Sequence, residues 1–178
     1  SAAEKVREEL ERVNRRVEEL LKKVKKVNEE VRDIVRKVVR EVERVNKEVE
    51  EEVKRLVDQG RATEEVKKTV DKLSEDSRRK LKEAIEELEK RSRESEKELE
   101  DVKREHDRLS EEIERELESG GDVEEIVKKI KDVVKRTDEL AERLVETSER
   151  LARTIKKVAE DLVRDSKRIV DEVRTRIT

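Results

Sequence analysis

Only three residues in this 178-residue chain are suited to interrupting a helix: Gly60, Gly120 and Gly121, with no proline anywhere. Glycine is the usual residue just past a helix C-terminus, because it takes the left-handed conformation without a Cβ clash. The three glycines cut the chain into near-thirds, and each cut is followed by a start signal. After Gly60 comes Arg61-Ala62-Thr63-Glu64-Glu65, where Thr63 reads as an N-cap followed by first-turn acids. After Gly121 comes Asp122-Val123-Glu124-Glu125, an Asp-x-x-Glu capping box, and the chain opens on a Ser1-Ala2-Ala3-Glu4 box. These signals predict helices over 2–58, 63–118 and 122–177. Each has about 55 residues and is about 80 Å long at a rise of roughly 1.5 Å per residue. Helices joined by short loops lie antiparallel. The expected fold is therefore all-α: one domain over 1–178, an up-down-up antiparallel three-helix bundle or coiled-coil rod of nearly straight helices.

The apolar periodicity agrees. Val13, Val17, Leu20, Val24, Val27, Val31, Val35, Val38 and Val42 recur at steps of three and four, and the stripe continues through Val45, Val49, Val53 and Leu56. The last third repeats the pattern from Ile126 through Val133, Leu140, Leu144, Leu151, Ile155, Leu162, Ile169 and Val173. The first helix carries fourteen Val against four Leu and one Ile. Valine is a mediocre helix former, stiff at χ1, so this choice makes sense only where shape in a packed seam decides. Glu→Lys pairs four apart, such as Glu18/Lys22, Glu19/Lys23, Glu50/Lys54 and Glu124/Lys128, are expected to add a few tenths of a kcal/mol each.

Charged residues make up 56% of the chain, which raises the question of disorder. The 48 Lys+Arg nearly balance the 51 Asp+Glu, and Leu, Ile and Val supply 48 of 178 residues, so both net charge and apolar content fit a folded chain. The missing residue types exclude more. Without Cys there is no disulfide, thiolate nucleophile or Cys-ligated metal, and without Phe, Trp or Tyr there is no stacking platform for bases or sugars. A near-neutral chain has no overall attraction to nucleic acid or anionic lipid. No apolar run approaches the ~18 residues a membrane span needs, and no targeting segment is evident, so localisation is not encoded. The start at Ser1 rather than Met suggests a processed end.

Polar residues inside the apolar stripes are the most informative feature. Asn14, Asn28 and Asn46 each follow a stripe valine. Ser74, Ser92 and Ser110 fall 18 apart, as do Ser77 and Ser95, and Ser148 and Ser166. Eighteen residues make five turns of a straight helix at about 3.6 per turn, so these positions keep one direction. With turns centred near residues 60 and 120, residue i faces 121 − i and residue j faces 241 − j. Asn46 then faces Ser74 and Ser77, which face Ser166. Asn28 faces Ser92 and Ser95, which face Ser148. Asn14 faces His106, which faces Thr137. The expectation is three buried hydrogen-bonded layers. An unpaired buried amide or hydroxyl costs on the order of 1–3 kcal/mol, so a slipped register that sets these groups against Val and Leu is disfavoured.

In its caps, glycine-only loops, Glu/Lys/Arg surface and Asn/Ser/Thr/His layers within a Val/Leu/Ile core, the chain resembles computationally designed helical bundles with programmed hydrogen-bond networks. Spectrin-like three-helix rods are a weaker match, since their core aromatics are missing here. The resemblance implies a de novo structural or assembly module without natural biochemical activity, in which polar layers set helix register and pairing.

The other candidate sites favour the same reading. His106 is the only imidazole; it reads as a network member, with a pH-sensitive switch as the less favoured role. Its neighbours Val102, Leu109 and Ser110 supply no metal set, and the His106/Ser110 pair has neither oxyanion hole nor orienting acid. No catalytic residue, cofactor site, metal site or small-molecule substrate is expected. The basic stretch Leu20–Arg40 reads as a solvated face, with the acidic second helix to complement it. On a helical wheel the first and third helices carry wider apolar arcs than the second. The alternative reading is thus a groove between helices one and three that takes a helix of a designed partner, or a second copy of the chain.

Overall fold

The computed structural model describes residues 1–176 and contains three helices, α1 (Ala2–Asp58), α2 (Glu64–Glu118) and α3 (Val123–Arg176). They pack against one another as an all-α three-helix bundle, and the described residues include no strand. Residue 177 of the expected third helix and the side chain of Val173 lie outside the described part.

The helix starts follow from their caps. The Glu4 N–H donates to Ser1 Oγ at 3.3 Å, and the terminal ammonium donates back to the Glu4 carboxylate at 3.4 Å. The Val66 N–H donates to Thr63 Oγ1 at 3.3 Å, and the Glu124 N–H to Asp122 Oδ1 at 3.0 Å. Thus α2 and α3 begin one residue later than expected, because a cap residue lies outside the helix it closes. At the other ends, Gly60 and Gly120 adopt φ of 69° and 76°. The Gly60 N–H reaches the Val57 carbonyl at 2.9 Å and the Arg61 N–H the Leu56 carbonyl at 2.7 Å. Gly120 to Leu117 and Gly121 to Glu116, at 3.3 and 2.7 Å, repeat the pattern. Both ends are Schellman motifs, which satisfy carbonyls the helix leaves unpaired. The second needs its extra glycine because a Cβ on Gly121 would lie 3.0 Å from the Glu116 carbonyl oxygen.

The packing divides into two compact units. Unit 1 comprises Ser1–Glu29 with Lys90–Glu149; unit 2 comprises Glu30–Glu89 with the chain from Arg150 onward. In unit 1, Val6, Leu10, Val13 and Val17 of α1 enclose Ile113 of α2 and Ile126 and Ile130 of α3. A second unit 1 cluster joins Leu20 and Val24 to Leu99, Ala141 and Leu144. In unit 2, Val45, Val49 and Val53 pack with Val70 and Val170. Within each unit α1 and α2 pair antiparallel: Arg7 meets Glu114 in unit 1 and Arg78 meets Glu43 in unit 2, both obeying the 121 − i register. Arg143 pairs with Glu98 on the 241 − j register. The core face of α2 is unlike the others. Its buried apolar residues Val70, Leu81, Leu88, Leu99 and Ile113 are interleaved with buried Ser74, Ser77, Ser92, Ser95 and His106.

Surface charge is organised by arginine more than by the expected Glu→Lys pairs. Glu19 pairs with Arg16, and Glu50 crosses to Arg78. Acid–Arg pairs three apart, such as Asp33/Arg36, Glu52/Arg55, Asp76/Arg79 and Asp161/Arg164, recur along all three helices. Arginine's planar fork matches a carboxylate better than a mobile ammonium does. In the basic stretch of α1, Lys22, Lys23, Lys25, Lys26, Arg36, Lys37 and Arg40 are exposed.

Candidate functional site: the buried polar layers

The layers are built by period. On α1, Asn28 and Asn46 occupy equivalent positions 18 residues apart and are 3% and 1% exposed. On α2 the equivalent pairs are Ser92/Ser74 and Ser95/Ser77, all buried. On α3 they are Ser148, buried, and Ser166, half-buried.

In unit 1, Ser148 Oγ donates to Asn28 Oδ1 at 2.7 Å and ties α3 to α1. In unit 2, Asn46 Nδ2 donates to Ser77 Oγ at 3.5 Å and ties α1 to α2. Two repeats of one layer thus use different ends of the same amide to hold different helices. Asn28 Nδ2 and Ser95 Oγ, the unit 1 equivalents of the bonded Asn46 and Ser77 atoms, are buried without a partner.

The Asn14, His106 and Thr137 layer differs from expectation. Asn14 is only half-buried, at the edge of the stripe. His106 and Thr137 are 5% and 6% exposed, but the Thr137 hydroxyl donates to the Val133 carbonyl of its own helix at 2.8 Å. Ser110 does the same to the His106 carbonyl at 3.0 Å. A hydroxyl that satisfies itself on the preceding turn has no need to cross to another helix. His106 Nε2 is left buried without a partner.

Burial sets the chemistry of His106. Desolvation holds its pKa below the ordinary imidazole value, against a smaller opposing influence of Asp107. A folded-state pKa below the unfolded one means that the unfolded chain binds more protons at mildly acid pH. The contribution is therefore fully present above about pH 6.5 and is lost as the pH falls from there through the folded-state value. The expected outcome is a lower Tm at pH 5 than at pH 7, with the difference reduced in His106→Asn. Equal pH dependence in parent and variant contradicts this.

Sequence reasoning did not foresee the charged cluster beside the unit 2 layer. Arg78, next to Ser77, donates to both Glu43 carboxylate oxygens at 3.1 Å and pairs with Glu50 at 2.8 Å. The guanidinium holds the Glu43 carboxyl below the usual carboxylate range. The available signal was register: Arg78 and Glu43 satisfy the 121 − i rule.

Shallow grooves run between α1 and α3 in each unit. In unit 2, Val38 and Val42 face Ala159 and Val163 across a groove of about 670 Å³. In unit 1, Val13 faces Ile130 and Val134 (about 260 Å³), and Leu20 faces Ala141 and Val145 (about 190 Å³). Among the described residues no cluster of His, Cys, Asp and Glu is placed to hold a metal ion, and no helix is long and apolar enough to cross a membrane. No protein-family model matches the chain, and neither the curated proteins nor the solved structures include a significant match to it.

Proposed function

We propose that this chain is a designed structural module whose buried polar layers set helix register and pairing, and that it carries no catalytic activity of its own. The observation that carries the reading is the pair of buried amide bonds, Asn28 to Ser148 and Asn46 to Ser77. A slip of any one helix strands at least one buried amide against Val or Leu, at about 1–3 kcal/mol per unpaired group. A Val-rich apolar seam alone discriminates poorly, since a shift by whole turns still sets apolar on apolar. Polar layers supply the missing discrimination.

A second reading is favoured by the α1–α3 grooves: a component that accepts a helix from a designed partner, or from a second copy, along that face. Its support is the apolar lining of the unit 2 groove and the position of Ile34, 44% exposed one turn before Val38. Sedimentation discriminates the two. The module reading predicts a mass of 21.1 kDa that does not change with concentration, together with weak binding of an apolar dye. A mass that doubles with concentration favours self-association. Strong dye binding at constant mass favours an open groove and counts against the first reading.

A further inference from the structure

We infer that the Asn28 layer of unit 1 is a binding site for one internal water molecule, held between Asn28 Nδ2 and Ser95 Oγ, and that the Asn46 layer of unit 2 is not. The two layers are repeats of each other, displaced by 18 residues on every helix, so each serves as a control for the other. In unit 2, Asn46 Nδ2 closes on Ser77 Oγ directly. In unit 1, Ser148 engages the carbonyl end of Asn28 at 2.7 Å. The amide nitrogen of Asn28 and the hydroxyl of Ser95 are then both buried without a protein partner, on residues 3% and 6% exposed.

Three features make this a site rather than a defect. First, the two orphaned groups fall in one layer of the register, and they are complementary: an N–H can donate to a water oxygen, while a hydroxyl can donate to or accept from it. An internal water needs two to four such partners, and buried Ser92, three residues before Ser95 on the same face of α2, brings a third hydroxyl to the layer. Second, the layer's buried side chains are small: Ser92, Ser95 and Ser148 stand with a single asparagine, where the buried apolar positions of the neighbouring unit 1 cluster include Leu99 and Leu144. Third, Ser95 does not satisfy itself on the preceding turn as Ser110 and Thr137 do. His106 Nε2, the remaining orphaned atom of unit 1, is a single group without a second one in its layer, and it makes no such site.

The test is water-to-protein cross-relaxation by NMR on the folded chain, read at the side-chain amide protons of Asn28 and Asn46. The inference predicts a cross-peak of the sign given by a long-lived bound water at Asn28 and none at Asn46. In Ser95→Ala, which removes one of the two anchors, the Asn28 cross-peak is expected to be lost or to change to the sign of a short-lived water. Asn28→Leu with Ser92→Ala, Ser95→Ala and Ser148→Ala removes the layer's polar groups, and circular dichroism reports whether that chain still folds. No long-lived water at Asn28, or equal cross-peaks at Asn28 and Asn46, overturns the inference. So does an Asn28 cross-peak that Ser95→Ala leaves unchanged.

Discussion

Ile113→Ala is expected to lower the unfolding free energy by about 2–5 kcal/mol, and Ile34→Ala by about 1 kcal/mol or less. Both remove the same atoms. Ile113 is 0% exposed and sits where α1, α2 and α3 converge, among Val6, Leu10, Val13, Ile126 and Ile130. Truncating it loses the transfer free energy of three carbons and leaves a cavity that three helices cannot all close on at once. Ile34 is 44% exposed, so its loss removes less buried area than at Ile113 and opens onto solvent instead of leaving an enclosed cavity. Denaturant midpoints of the two variants test the placement directly. Equal effects mean that the unit 1 cluster is not a packed core.

Ser77→Ala is expected to cost about 1–3 kcal/mol, and adding Asn46→Leu is expected to recover most of that loss. The asymmetry is physical. The single change strands Asn46 Nδ2 in a layer where Asn46 is 1% exposed. The double change removes both polar partners and leaves apolar contact in their place. Recovery in the double variant identifies the bond as a device for specificity rather than for stability. Additive losses would instead make the polar layer a net stabiliser.

Much of this molecule is legible in its residues, because idealised helices leave few competing readings. Gly60 and Gly120 have left-handed φ and close Schellman motifs where helix ends were expected. Ser1, Thr63 and Asp122 cap the helices they precede. The register set by the turn positions also accommodates the pairs Arg7 with Glu114 and Arg78 with Glu43, although neither was among the expected charge pairs. What did not show was the choice among neighbouring partners. Asn28 had Ser92, Ser95 and Ser148 within its layer and bonds Ser148. Thr137 bonds its own helix, an option open to any helical threonine and invisible in spacing. Such choices turn on rotamers and on separations of an ångström or less, which residue identity does not encode. The division of the packing into two units was also not apparent, since every helix runs unbroken through the boundary.

Register itself can be read by cross-linking, because the chain contains no cysteine to interfere. Glu43→Cys with Arg78→Cys places thiols at a native contact; Glu43→Cys with Asp71→Cys places them one heptad out of register, a shift that still sets apolar stripe on apolar stripe. A short thiol-reactive cross-linker is applied to both pairs, in the parent chain and in one whose two asparagine layers are apolar (Asn28→Leu and Asn46→Leu, with Ser74, Ser77, Ser92, Ser95 and Ser148 each changed to Ala). The parent is expected to link only the native pair, while the apolar-layer chain, still helical, links both. An apolar-layer chain that links the native pair alone, as cleanly as the parent, would contradict the claim that the polar layers choose the register.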